Sequence, residues 1–152
     1  MLNRLRTDGS VRPSKAEAFL AVAAELAKLS TCPEGARHGA VVTVDDRIVA
    51  TGYGSPAAGR PPCEACWLRL KFRETGVKDW TVCPSVHAEA NAIATAARNG
   101  ISVRAGIIYV TRQPCEGCER LIVNAGIGEI VFQGPVLVER MLLARDGTRV
   151  AR

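Results

Sequence analysis

Apolar and polar positions follow two periods along this chain, and each period marks an element. Ala18, Phe19, Val22, Leu26 and Leu29 recur at helical spacing. Ser14 and Glu17 form the reciprocal capping pair that opens a helix, so the pattern predicts a helix over 15–29. Two short β-branched runs, 40–44 and 47–52, meet at Asp45-Asp46 and predict a β-hairpin. Three prolines and Gly59 mark 55–62 as loop. A short helix is expected over 67–74. The alanine-rich stretch 87–99 predicts a helix that Gly100 stops. Next come a buried strand over 107–111, a helix over 116–124 ending at Gly126, and a strand over 129–132. A last helix is expected over 136–144.

Strands separated by helices imply parallel neighbours joined by right-handed crossovers. The expected fold class is therefore α/β, a three-layer α/β/α sandwich around a mixed sheet of about five strands. No repeat or linker divides the chain, so 1–152 reads as one domain. Its core lies at about 15–133, with basic N- and C-terminal extensions.

Composition narrows the function classes. Hydrophobic residues make up 47% and charged residues 23% of 152, which excludes disorder, collagen and a coiled coil as the main architecture. No stretch approaches the roughly 20 apolar residues of a membrane span. The first fifteen residues lack the apolar core of a secretory signal, so a reducing, cytoplasmic setting is expected. Six cysteines in that setting point to metal or catalysis before disulfides. The net charge of +5 hints at nucleic acid, but its distribution weakens the hint. Residues 1–15 carry four basic side chains against Asp8, and 140–152 carry four against Asp146. The middle then holds 12 basic against 13 acidic residues. A polyanion groove needs its basic residues clustered on the functional face, so nucleic acid is not the expected partner.

Two segments carry chemistry: His87-Ala88-Glu89 and Pro114-Cys115-Glu116-Gly117-Cys118. Each falls at the start of an expected helix. One imidazole and two thiolates suit tetrahedral zinc, and three protein ligands leave a fourth position for water. Helix N-termini add positive potential that favours thiolates. Glu89 lies two residues from His87, placed to reach that water without binding the metal. A lone Cys-x-x-Cys is weak, and a lone histidine is more often structural. The pair H-x-E and P-C-x-x-C, in this order, is the signature of zinc-dependent nucleobase deaminases.

The chain resembles the cytidine deaminase-like superfamily and, within it, the deoxycytidylate deaminases. The likeness covers about 15–133. It runs through Gly39-Ala40-Val41-Val42, Ala50-Thr51-Gly52-Tyr53, His87-Ala88-Glu89-Ala90-Asn91-Ala92-Ile93, Tyr109-Val110-Thr111, Pro114-Cys115-Glu116-Gly117-Cys118 and Asn124-Ala125-Gly126-Ile127. The resemblance implies zinc on His87, Cys115 and Cys118, with Glu89 as proton shuttle. It implies hydrolytic loss of ammonia from C4 of a cytosine nucleotide, dCMP to dUMP, which supplies dUMP for thymidylate synthesis. It also implies a homo-oligomer such as a hexamer, with dCTP and dTTP as candidate effectors. The chain departs from the family at Gly52-Tyr53-Gly54-Ser55-Pro56, where Gly-Tyr-Asn-Gly is usual and the asparagine helps hold the sugar. It departs again at Gln133-Gly134-Pro135, where the family tends to carry Asp and Tyr. Alternative substrates are a free nucleoside, a modified pyrimidine nucleotide, or a base in RNA or single-stranded DNA. A zinc-stabilised binding module is the non-catalytic alternative, and it leaves Glu89 without a role.

Cys32, Cys63, Cys66 and Cys83 remain. Cys63 and Cys66 have the spacing of half a structural zinc site. Relatives place Cys or His at similar points around a second, structural zinc, so these four are expected to close one. The alternatives are four free thiols packed as small hydrophobes, or a ribbon joining Cys63 and Cys66 to Cys115 and Cys118. For substrate contacts, groups at Ala88 and Thr111 are expected on the base edge and Tyr53 at the sugar. Arg112, Arg60 and Arg37 are candidates for a 5′-phosphate.

Overall fold

The computed structural model describes residues 7, 10–32, 37–77, 82–135, 137–143 and 149–150. Helix α1 (Lys15–Ala27) opens on Ser14. The Ser14 hydroxyl accepts the Glu17 N–H at 3.2 Å, and the Glu17 carboxylate accepts the Ser14 N–H at 2.6 Å. Strands β1 (Gly39–Val44) and β2 (Arg47–Tyr53) form the expected hairpin. Asp45 and Asp46 both take positive φ, 50° and 61°, the backbone of a two-residue turn whose twist matches its strands.

After the hairpin come β3 (Ser55–Pro56), α2 (Trp67–Thr75), β4 (Ser85–Val86), α3 (Ala88–Arg98) and β5 (Ile107–Val110). Helix α4 (Glu116–Asn124) and strands β6 (Glu129–Gln133), β7 (Val138–Leu143) and β8 (Arg149–Val150) complete the chain. The main sheet runs β2-β1-β5-β6-β7-β8. Only β5 and β6 pair in parallel, through the α4 crossover, and the other neighbours are antiparallel. The sheet is thus mixed, with five strands of four residues or more and a two-residue sixth. The short strands β3 and β4 pair with each other outside it.

Side chains of the central strands alternate between two cores. Val41, Tyr109 and Val131 face α1, where they meet Ala16, Leu20 and Ala23. Val42, Ile108, Val110 and Ile130 face the other way, onto Ala88, Ala92 and Ile122 of α3 and α4. Both faces are covered, so these strands read as unbroken apolar runs. Two glycines set the helix-to-sheet distance. A Cβ on Gly39 would collide with the Ala23 carbonyl, and one on Gly52 with the Ala88 carbonyl and the Ala92 amide. The first turn of α3, which carries the candidate chemistry, therefore lies hard against β2.

Within the expected helix 136–144, the described residues 138–143 are strand instead, while 136 and 144 lie outside the described residues. Residues 138–143 form β7 along β6, with Gln133 opposite Val138 and Glu129 opposite Leu142. Val138, Met141 and Leu142 fit helical spacing, but Met141 and Leu143 also fit a strand face, and both pack on the α3 core. Helix propensity is a weak prior here. The open edge of β6 decides the outcome, because its N–H and C=O groups need partners. The Gly134 N–H donates to the Leu137 carbonyl at 2.9 Å, and Arg140 pairs with Glu129 at 2.8 Å. The core thus continues past 133, and part of the basic C-terminal region is sheet. Helix α2 buries no residue and leaves Trp67, Leu70 and Phe72 exposed. No helix among the described residues is long and apolar enough to cross a membrane.

Candidate functional site

Two helix starts face each other across one cleft. His87 is the N-cap of α3 and Cys115 the N-cap of α4. An N-cap side chain normally accepts a backbone N–H of its own first turn, worth about 0.5–2 kcal/mol. Neither residue does so here. The His87 ring turns instead to the cysteines, with Nδ1 3.6 Å from Cys115 Sγ and 3.4 Å from Cys118 Sγ. Ligand atoms of His87, Cys115 and Cys118 all lie within 4.8 Å of one another. It is the one such group of three among the described residues. Cys63 and Cys66 are not among the ligand atoms within 4.8 Å of one another in this group.

Electrostatics decide whether this group fits a metal. Burial pushes the Cys118 thiol far above its ordinary value, and the negative charges of Glu89 and Cys115 push it further. A buried thiol crowded by two acidic groups ionises when a cation displaces its proton. The donor set of one imidazole and two sulfurs suits zinc. Cys118 is buried while His87 and Cys115 are exposed, so the cluster opens toward the cleft. Glu89, the second residue of α3, is only 8% exposed, and its charge acts on the Cys118 thiol.

The cleft encloses about 510 Å³, within the usual range for a small-molecule site. His87, Ala88, Glu89, Thr111, Arg112 and Cys115 line it. The candidate substrate contacts Ala88, Thr111 and Arg112 are among these lining residues. Tyr53 does not line this cleft. It lines a second hollow of about 360 Å³ together with Arg60 and Asn91. Gly54, the next residue, lines the first cleft. Arg37 is exposed and lines neither hollow. Cys32, Cys66 and Cys83 line the same cleft as the triad. Cys63 is near them, because burial and the charges of Cys83, Cys32 and Cys66 all push its thiol up.

Comparison with known proteins follows this geometry. Residues 13–133 match the family described as "Cytidine and deoxycytidylate deaminase zinc-binding region". The chain belongs to this family. It is 40% identical to the deoxycytidylate deaminase of Mycobacterium phage D29, over 80% of this chain and 95% of that protein. It is 32% identical to the deoxycytidylate deaminase of Enterobacteria phage T4, over 78% of this chain and 77% of that one. Among solved structures, it resembles the dCMP deaminase of cyanophage S-TIM5 in complex with dCMP and dUMP. That likeness has a TM-score of 0.65 at 25% identity and covers 81% of this chain and 83% of that one.

Within this family's fold, the sequence reading missed two residues. Asn91, in the second turn of α3, donates from Nδ2 to the Tyr53 carbonyl at 2.8 Å and to the Val86 carbonyl at 3.3 Å. It ties β2 and β4 to the helix that carries Glu89. Its place inside the motif, just after H-x-E, was the available signal. His38 lies directly before β1 and lines the cleft. Burial holds its ring below the usual histidine range, helped by the Arg112 cation and by His87 and opposed by Glu89. Nothing local marks His38, since strand pairing brings it there.

Proposed function

We propose that the chain is a single zinc-dependent deaminase unit that converts dCMP to dUMP and ammonia, and so supplies dUMP for thymidylate synthesis. One observation carries the reading. A His/Cys/Cys cluster within 4.8 Å borders a buried glutamate in a cleft of nucleotide-compatible size. The relatives named deoxycytidylate deaminase, and the neighbour bound to dCMP and dUMP, support the substrate class.

His87, Cys115 and Cys118 would hold the zinc. Bound there, zinc supplies a Lewis acid that lowers the pKa of a water toward about 7. Glu89 takes one proton from the attacking water and delivers it to ring N3 as the C4–O bond forms. It then carries the remaining hydroxyl proton to the amine, the C4–N bond breaks, and ammonia leaves. The first N–H groups of α3 have no intrahelical partner. The Ala88 N–H is therefore free to donate to the base O2. Arg112 supplies a cation for the 5′-phosphate, the one arginine among the residues lining the cleft. An ammonia-release assay over cytidine, deoxycytidine, CMP, dCMP and a cytosine oligonucleotide tests this. We expect dCMP to be turned over at least tenfold faster than the others, and turnover of the oligonucleotide alone would refute it.

Cys32, Cys63, Cys66 and Cys83 are read as a second, structural zinc site. Their shared electrostatic neighbourhood supports it. Elemental analysis should then find two zinc ions per chain. Cys66→Ala should remove one, lower the melting temperature, and leave turnover in the fraction that stays folded. A single zinc per chain in fully loaded protein would overturn it. The exposed Trp67, Leu70 and Phe72 of α2 support a homo-oligomer such as a hexamer. Regulation by dCTP and dTTP belongs to the same reading.

A further inference from the structure

His38 occupies the cleft, yet the mechanism above does not use it. Its Nδ1 lies 3.3 Å from Thr111 Oγ1. That hydroxyl already accepts the Gly39 N–H at 3.2 Å. Its single proton is satisfied if it donates to His38 Nδ1, which makes Nδ1 the acceptor and leaves the ring hydrogen on Nε2. The lowered pKa agrees with a neutral ring at pH 7. The backbone is held as well, because the His38 carbonyl accepts the Gly54 N–H at 3.0 Å. Gly54 puts no side chain beside the ring. Nε2 has no hydrogen-bond partner among the described residues, so a preorganised donor faces the cleft.

We propose that His38 is a substrate-binding residue whose Nε2–H donates to the 3′-hydroxyl of the bound deoxynucleotide. The choice of atom follows by elimination and rests on the dCMP reading above. The base must present C4 and N3 to Glu89 and the His87 cluster. The base O2, on the same edge, is within the province of the α3 N-terminus. The phosphate calls for a cation, and Arg112 is in the cleft. The sugar of dCMP has one hydroxyl, and a neutral N–H suits a neutral oxygen.

The test compares dCMP with 2′,3′-dideoxycytidine 5′-monophosphate, using zinc-loaded full-length protein. A neutral hydrogen bond contributes about 0.5–1.5 kcal/mol, or about 2- to 13-fold. Wild type should therefore show a KM for the dideoxy analogue raised by about that factor. His38→Ala should raise the KM for dCMP equally, with kcat within about twofold, and add nothing on the analogue. His38→Gln, which can place an amide N–H near the old Nε2, should recover most of the loss. Zinc content, melting temperature and dUMP affinity measured on each variant separate a lost contact from a lost fold. Equal loss on both substrates, or an unchanged KM, would overturn the contact. So would equal KM values of wild type for dCMP and its analogue, which requires no variant. If wild type does not deaminate dCMP, the proposed function itself has failed, a different result from any of these.

Discussion

Glu89→Ala is expected to keep its fold and zinc while losing turnover by at least about 10²–10⁴-fold, the usual contribution of one positioned proton transfer. The loss should reach that range because one carboxylate serves both proton movements, to N3 and to the amine. Glu89 is buried at the start of α3, beside Cys118 and away from bulk water that would replace it. Metal binding should survive, and the sign follows from the electrostatics. The Glu89 charge raises the Cys118 pKa, so removing it makes the thiolate easier to form. If Glu89 acted only on the helix dipole, its loss would cost about 0.3–1 kcal/mol of stability and leave turnover near normal. Ammonia release, zinc content and melting temperature on one preparation separate these outcomes. Turnover near wild type would refute the mechanism.

Cys115→Ala should abolish turnover by a different route, through loss of the metal. His87 and Cys118 alone leave two ligands, too few for an open tetrahedral site. Zinc present at a thousand times its Kd stabilises a fold by about 4 kcal/mol. The variant should therefore melt lower, and added zinc should not restore the difference. Loading of the intact protein should also depend on pH. Burial and its acidic neighbours keep the Cys118 thiol protonated in the metal-free state, so zinc must displace that proton. Affinity should rise with pH and fall in acid, with proton release measurable by calorimetry in buffers of different ionisation enthalpy. Full zinc occupancy and activity in Cys115→Ala would overturn the ligand assignment.

The parts of this protein legible in the sequence are those that local physics determines. The Ser14/Glu17 capping box opens α1, Asp45-Asp46 turns the hairpin, and α4 covers the expected 116–124. H-x-E and P-C-x-x-C fall at helix starts, which both sequences announce by themselves. Apolar runs at β1, β5 and β6 mark strands covered on both faces. Tertiary structure decided the rest, because the deciding partners lie far away in the chain. The spacing of 136–144 fits either period, and only the open edge of β6 makes 138–143 a strand. Tyr53 and Gly54 are chain neighbours that line different hollows, which their sequence does not announce. Four cysteines spread from 32 to 83 become neighbours only when the loops that carry them meet. His38 reaches the cleft through the β1–β5 pairing, which sets Ala40 opposite Val110 and so brings His38 to Thr111, 73 residues away. No periodicity within either segment encodes that distance, because it is set by hydrogen bonds between strands.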